Sequence, residues 1–447
     1  MKNRPANGIH TRPNDERTRP NDVRTRPLLL RNGDFAKVWA AQVAAQGAFR
    51  MLQVGLVWWI VSHVAAERRG LATGLLMVLG TLPAALLVPV VARVLARRTS
   101  RTVLRGTTWI AATVAAALAL WAALDTVPLA AVYPVALALA VCQAFFDPCI
   151  PTSVTALVEA DDIENATAVT LATLSMAGLA GAFTAPLLVE RTGLTGLVLA
   201  CAAGYALSGT AAGLARFRPP QDPQDPPAPA SAPPKRRLRD ILTGLPLLRS
   251  ILLCLAAVNL FSTAVFVIFP LYTKSVLHAD ATTFALLEAG LGVGTLLGAL
   301  SGKYLTGRAT STGALCVTGF ALALALPGVV AHQPVVIGCL VVAGWCVGAV
   351  GVRFVALFQR AVPAADKPGF FALMQAMIGA TFPVASLVFG LLGDHLSPQT
   401  LCLIQAVGVL PAACALYALR GREHALTTAP APSTAPPART ALLEGKA

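Results

Sequence analysis

Twelve apolar stretches, each near membrane-spanning length and separated by short polar loops, leave this 447-residue chain few folds to adopt. A hydrocarbon layer of ~30 Å takes about 20 apolar residues per helix. The stretches fall at 38–61, 71–95, 103–124, 129–146, 166–189 and 194–214, then at 251–271, 283–305, 313–330, 334–358, 370–392 and 401–419. With 56% hydrophobic and 13% charged residues, a soluble reading would need many helices that are apolar on every face. The runs are too long and too rich in Ala, Leu, Val and Gly for strands, and they lack the alternation of an outer-membrane barrel. The expected fold is an all-α polytopic membrane protein with twelve transmembrane helices in two six-helix halves.

Charge placement sets the orientation. With the N-terminus inside, only Arg68, Arg69, Arg191 and Lys274 of the 35 Lys and Arg residues fall in outer loops, and Arg50 lies mid-helix. The excess of inner cations predicts both termini on the cytoplasmic side of a bacterial plasma membrane. The net charge of +14 is scattered over loops, which does not suggest a nucleic-acid partner. The nine Cys lie in or beside the spans without a Cys-x-x-Cys pair, so they read as small packing residues. Neither a metal nor another cofactor is expected.

Three segments fall outside the spans. Residues 1–27 carry a heptad-length repeat (Thr11 to Arg17, Thr18 to Arg24, then Thr25 to Pro27), but a proline in every unit and no apolar seam exclude a coiled coil. They read as a disordered basic tail. Residues 216–249 form a Pro-rich linker with a basic end at Lys235 to Arg239, dividing a half at 28–215 from a half at 250–425. Residues 426–447 read as a second disordered tail. The halves echo one another: basic residues follow spans two and eight, and Phe145-Phe-Asp-Pro148 and Phe358-Gln-Arg-Ala-Val-Pro363 close spans four and ten. Paired halves joined by a long loop are a common plan for secondary transporters.

With those features the chain resembles the major facilitator superfamily, over 28–422. The likeness is to its bacterial drug and siderophore exporters, the enterobactin- and macrolide-exporter-like proteins. It is carried by Leu30-Arg-Asn-Gly-Asp-Phe35, Arg50-Met-Leu-Gln-Val54, Phe145-Phe-Asp-Pro148, Leu287-Glu-Ala-Gly290 and Gln359-Arg-Ala-Val-Pro363. The resemblance implies alternating access with substrate held between the halves. Two departures bear on mechanism. The family's loop between spans two and three usually reads Gly-x-x-x-Asp-Arg-x-x-x-Arg, and here the positions are Ala92, Ala96, Arg97 and Arg101. Close relatives often place Asp before the span-one Arg, where this chain has Phe49. A weaker or differently built inner latch is therefore expected, and no acidic coupling site in span one.

Ionisable groups inside a span are costly unless paired or facing water, so the few present are the site candidates. Arg50 and Glu288 fall at similar depth, ~20 Å from the inner side at 1.5 Å per residue. They are expected to communicate directly or through substrate, with Glu288 carrying a coupling proton; a static ion pair is the plain alternative. Asp147, ending span four, reads first as a helix-end or gate residue and second as a proton carrier. Arg97, Arg101, Arg353 and Arg360 are loop and gate candidates, Arg353 having Asp147 or Asp366 as partners when the inner side closes. Gln46, Gln53, Asn259 and Gln375 could hydrogen-bond substrate, with interhelical bonds an equal alternative. Gly290, Gly292, Gly294, Gly298 and Gly302 read as a close-packing stripe, and Trp39, Trp58, Trp59 and Trp121 as interfacial anchors.

The function expected is proton-coupled efflux of an amphiphilic small molecule by a monomer. Import or facilitated diffusion of a small solute would call for more polar groups in spans one, four, seven and ten. A membrane-embedded transferase would need a His, Asp or Cys cluster, and the six His are scattered. A transport-silent sensor has only Ala96 and Phe49 in its favour. No enzymatic activity is expected.

Overall fold

Side chains before the first span fix where it starts. In the computed structural model, which describes residues 28–158, 162–216, 245–363 and 366–422, a single turn at Leu28–Arg31 precedes helix α1 (Gly33–His63). Asn32 caps α1 by accepting from the Phe35 amide at 3.0 Å, and its own amide donates to the Leu157 carbonyl at 2.8 Å. Arg31 pairs with Asp162. Asp34 accepts from Lys37 and from the Arg216 backbone, which holds its carboxyl below the usual carboxylate range. The Leu30–Phe35 motif therefore clasps α1 to the ends of two other spans.

The chain is helical throughout its described length, with no strand among the described residues. After α1 come α2 (Arg69–Leu86), α3 (Val88–Arg97), α4 (Ser100–Leu124), α5 (Leu129–Phe146), α6 (Cys149–Leu157) and α7 (Ile163–Leu214). The second half holds α8 (Pro246–Ser262), α9 (Val265–Ser275), α10 (Ala281–Ser301), α11 (Ala309–Val329), α12 (Gln333–Ala361), α13 (Lys367–Gly393) and α14 (Pro398–Ala418). Three spans are broken pairs: α2 with α3, α5 with α6, and α8 with α9. Ten helical segments are long and apolar enough to cross a membrane, and one, at 50 residues, is two spans in one. It breaks at Gly193, whose φ of 67° suits a residue without Cβ. Adding α1, too polar to meet the same standard because of Lys37, Gln42, Gln46, Arg50 and Gln53, completes twelve spans.

Several helices start earlier than the apolar runs: α8 begins at Pro246 and α11 at Ala309. Proline in the first turn and threonine side chains extend a helix beyond its apolar stretch. The larger correction is span four. It continues through a kink at Asp147-Pro148 into α6, so Asp147 lies inside the span and does not end it. Phe-Asp-Pro reads as a stop because proline disfavours helix at the residue before it, but proline is tolerated where a helix restarts. The 1–27 tail, most of the 216–249 linker and the 426–447 tail lie outside the described residues.

Each half has its own apolar core, and Val267, Leu271, Ala281 and Phe284 of the second half pack into the core of the first. Leu120, Leu124, Leu207, Leu315, Leu322 and Val407 point outward and are well exposed, as the lipid-facing side of a bundle requires. The stripe on α10 packs against a matching one on α12. A Cβ on Gly294 or Gly298 would collide with the backbone at Val341 or Trp345, and one on Gly344 or Gly348 with that at Leu291 or Thr295.

Candidate coupling site and substrate cavity

Arg50 sits near the middle of α1, where α7 comes close. A Cβ on Gly181 of α7 would lie 2.8 Å from the Gly47 carbonyl and 3.3 Å from Arg50 Cβ. From there Arg50 reaches across to the other half, its Nη2 standing 3.8 Å from Oε2 of Glu288 on α10. The Glu288 side chain is 9% exposed and that of Arg50 34%. Arg50 also donates to Gln53 at 3.4 Å, and its guanidinium lies 5.5 Å from the Phe266 ring centre. Val54, Val57, Met77 and Phe284 close the rest of the surroundings, leaving about 10 Å³, room for one water at most. Two sequence candidates thus meet, across the boundary between the halves. A carboxyl so placed can be a charged partner of Arg50 or a neutral acid beside it, and moving the halves apart changes which costs less.

A second polar set lies in the first half. Asp147 accepts from Gln143 at 2.6 Å and, more loosely, from Gln46 at 3.5 Å. Gln42 donates to Gln46 and to the Thr170 carbonyl, both at 3.0 Å. Asp147 itself is exposed, about 15 Å from the end of α6 at 1.5 Å per residue. Trp39 donates to Thr173, and Trp58 is buried, stacked 5.3 Å from Phe284 with Lys274 beside it. Trp58 is therefore a packing residue and not an interfacial anchor, while Trp39 is half-buried. Trp121 is exposed, as an anchor would be.

Asn259 of α8 donates to the Ile378 carbonyl and to Thr381 of α13, so the interhelical alternative holds for its amide. Gln375 is exposed one turn away on α13, and Gln53 faces Arg50. Arg97 and Arg360 are exposed at the ends of α3 and α12. Arg101 donates to the Gly213 carbonyl and Arg353 to the Gly307 carbonyl, each within its own half.

Sequence reasoning passed over the contacts that close the opposite face, the one carrying the loop after α1. Asp394, at the C-terminal end of α13, accepts from the Gly70 and Leu71 amides at 2.8 and 3.1 Å, so it caps α2 of the other half. Glu190, near the end of the first α7 segment, accepts from the Ala281 amide at 3.0 Å and caps α10 of the other half. Spans two and eight occupy equivalent places in the two halves, as do spans five and eleven, so the two caps are pseudosymmetric. Below them Gly70 and Gly74 meet Gly390 and Ser386 at backbone distance. The available signal was a carboxylate at a helix C-terminus, misplaced for its own dipole and suited to another helix's N-terminus. The contacts between the halves thus gather on this face, α13 against α2 and α10 against α7.

Twelve spans in two six-helix halves, with the Arg50–Glu288 pair between them, make this a multi-pass membrane protein. The family model of the Major Facilitator Superfamily matches residues 38–326. The chain belongs to that superfamily. Among solved structures it is similar to a peptide transporter of the POT family in complex with alafosfalin, with TM-score 0.67 and 12% identity, covering 88% of this chain and 96% of that one. It is similar to the nucleoside transporter NupG, with TM-score 0.61 and 13% identity over 86% and 99% of the two chains. A bacterial homologue of the human lysosomal transporter Spinster, inward-facing and unoccupied, gives TM-score 0.61 and 12% identity over 88% and 96%. At such identities the likeness is one of fold alone. No curated protein matches the chain in sequence.

Proposed function

We propose that the protein is a proton-coupled exporter of amphiphilic small molecules, of the drug and siderophore exporter branch, working as a monomer in a bacterial plasma membrane with both termini cytoplasmic. The observation that carries this reading is the Arg50–Glu288 pair, a buried carboxylate of one half facing a partly exposed cation of the other. Opening the sealed face separates α1 from α10, leaving Glu288 without its cation in a largely apolar setting; taking up a proton relieves that cost. The return step restores the pair and releases the proton. The inner cations support the orientation. Export of amphiphiles is favoured over import of a small polar solute because polar groups near the pair are few, and Asn259 is already engaged between helices. Asp147, exposed in the kink of span four beside Gln143 and Gln46, is suited to meeting substrate from the cytoplasmic side.

Cellular accumulation of fluorescent amphiphiles and antibiotics, in a host stripped of its own pumps, tests the reading. Lower accumulation in cells carrying the protein, abolished by a protonophore, is the expected result. Accumulation raised by the protein would make it an importer.

A further inference from the structure

We infer that the C-terminal half alone contains a subsite for the neutral, aromatic end of the substrate, inside its own helix bundle and off the boundary between the halves. The inference deepens the exporter reading and rests on it for the word substrate. The cavity holds about 290 Å³ and is walled by α8, α11, α12 and α13. Phe354, Phe358, Val317 and Phe320 line its buried floor, while Val347, Gly351, Val355 and Gln375 are exposed at its mouth. At that volume it admits a two- or three-ring group, with the remainder of a larger molecule left outside.

Its counterpart is full. The pocket bounded by spans one, three, four and six of the first half, which include the equivalents of α8, α11 and α12, holds no open volume. Buried Tyr205 and Phe146 stand at that place. Of these two equivalent places, only the one in the second half has room for a ligand group.

The lining states the chemistry. None of the described residues lining the cavity carries a formal charge. Both amide hydrogens of Asn259 are used, on Ile378 and Thr381, so its carbonyl oxygen is the group left for a ligand, and it favours a ligand N–H or O–H. The cavity is also placed to serve the coupling site. Ser262 and Ile378 at its edge each lie four residues, about one turn, from Phe266 and Phe382, which contact one another, and Phe266 lies against Arg50. This succession of neighbours, from the cavity edge through the two rings to the guanidinium, is the route by which an occupant would reach the Arg50–Glu288 contact.

Photolabelling of the purified full-length protein in nanodiscs tests this. The probe is 3-trifluoromethyl-3-phenyldiazirine, and the competitor is N-phenyl-1-naphthylamine, neutral and aromatic with one N–H. The expected result is adducts on the α11 and α12 peptides containing Cys316 to Phe320 and Cys346 to Phe358, reduced about tenfold by competitor. Gly351→Trp, at a mouth position where a new side chain meets open space, is expected to give the same loss without competitor. Adducts confined to lipid-facing positions such as Leu315 and Leu322, or α12 adducts that the competitor leaves unchanged, would overturn the subsite. Should Gly351→Trp fail to fold, the competitor arm on the wild-type protein decides alone. Labelling needs no pH gradient, so a filled subsite with no export activity would sink the exporter reading and keep the site, and the converse result would do the reverse.

Discussion

At the scale of residues, function concentrates on a few polar side chains with specific partners. Glu288→Gln keeps the shape of the buried group and removes its proton chemistry. It is expected to abolish uphill export, by about a hundredfold or more for loss of a group acting in proton transfer, while leaving binding of neutral amphiphiles intact. Transport and equilibrium binding measured on the same preparation check both halves of that statement. Arg50→Lys keeps the charge but loses the planar contact with Phe266, and is expected to transport slowly, unlike Arg50→Ala, which leaves Glu288 alone. Asp34 gives a pH prediction of a different kind. Its carboxyl is held below the ordinary range, so its stabilising contribution is complete above the unfolded value near 4 and is lost as pH falls through the folded one. Asp34→Asn should flatten the acid limb of thermal stability measured between about pH 5 and pH 2. Of these residues, Arg50 and Glu288 were legible in the sequence, because an ionisable group deep in an apolar run needs a partner. Whether they meet directly or through substrate was left open, since equal depth does not say which faces of two helices oppose one another.

At the scale of elements, the interface between α10 and α12 is made by absence of side chains. Gly294, Gly298, Gly344 and Gly348 interlock so that backbone touches backbone. Gly298→Val should cost about 1–3 kcal/mol by overpacking, read as a lower melting temperature in detergent, whereas Gly338→Val, with open space around it, should not. The α10 stripe was readable from spacing alone; its α12 counterpart was not singled out, because glycine four residues apart is common in any membrane helix. Broken spans were harder. The apolar pattern marks where a helix enters the bilayer but carries no signal for a kink that keeps the same direction, so Asp147-Pro148 read as an end when it is a bend inside span four.

At the scale of the whole molecule, the sealed face is held by two reciprocal caps, Asp394 on α2 and Glu190 on α10. The inner loop between spans two and three lacks the family's usual Asp, at Ala96. The caps favour the state in which the face carrying the loop after α1 is closed. Replacing both by Ala should remove charge-assisted hydrogen bonds of about 1.5–3 kcal/mol each and shift the population toward opening of the sealed face. Pulsed-dipolar distances between labels at residues 126 and 395 would lengthen. Twelve spans and two halves followed from hydropathy and loop charge. The closing contacts did not, because they join side chains to backbone amides, and backbone amides have no identity in a sequence.

Proton coupling through Glu288 is the claim on which the rest depends. It is tested most directly in proteoliposomes with an imposed pH gradient, by adding a compound that cells carrying the protein exclude and following collapse of the gradient. The wild-type protein is predicted to dissipate the gradient when the compound is present, and Glu288→Gln to leave it standing while still binding the compound. Collapse at the wild-type rate by Glu288→Gln would contradict the account.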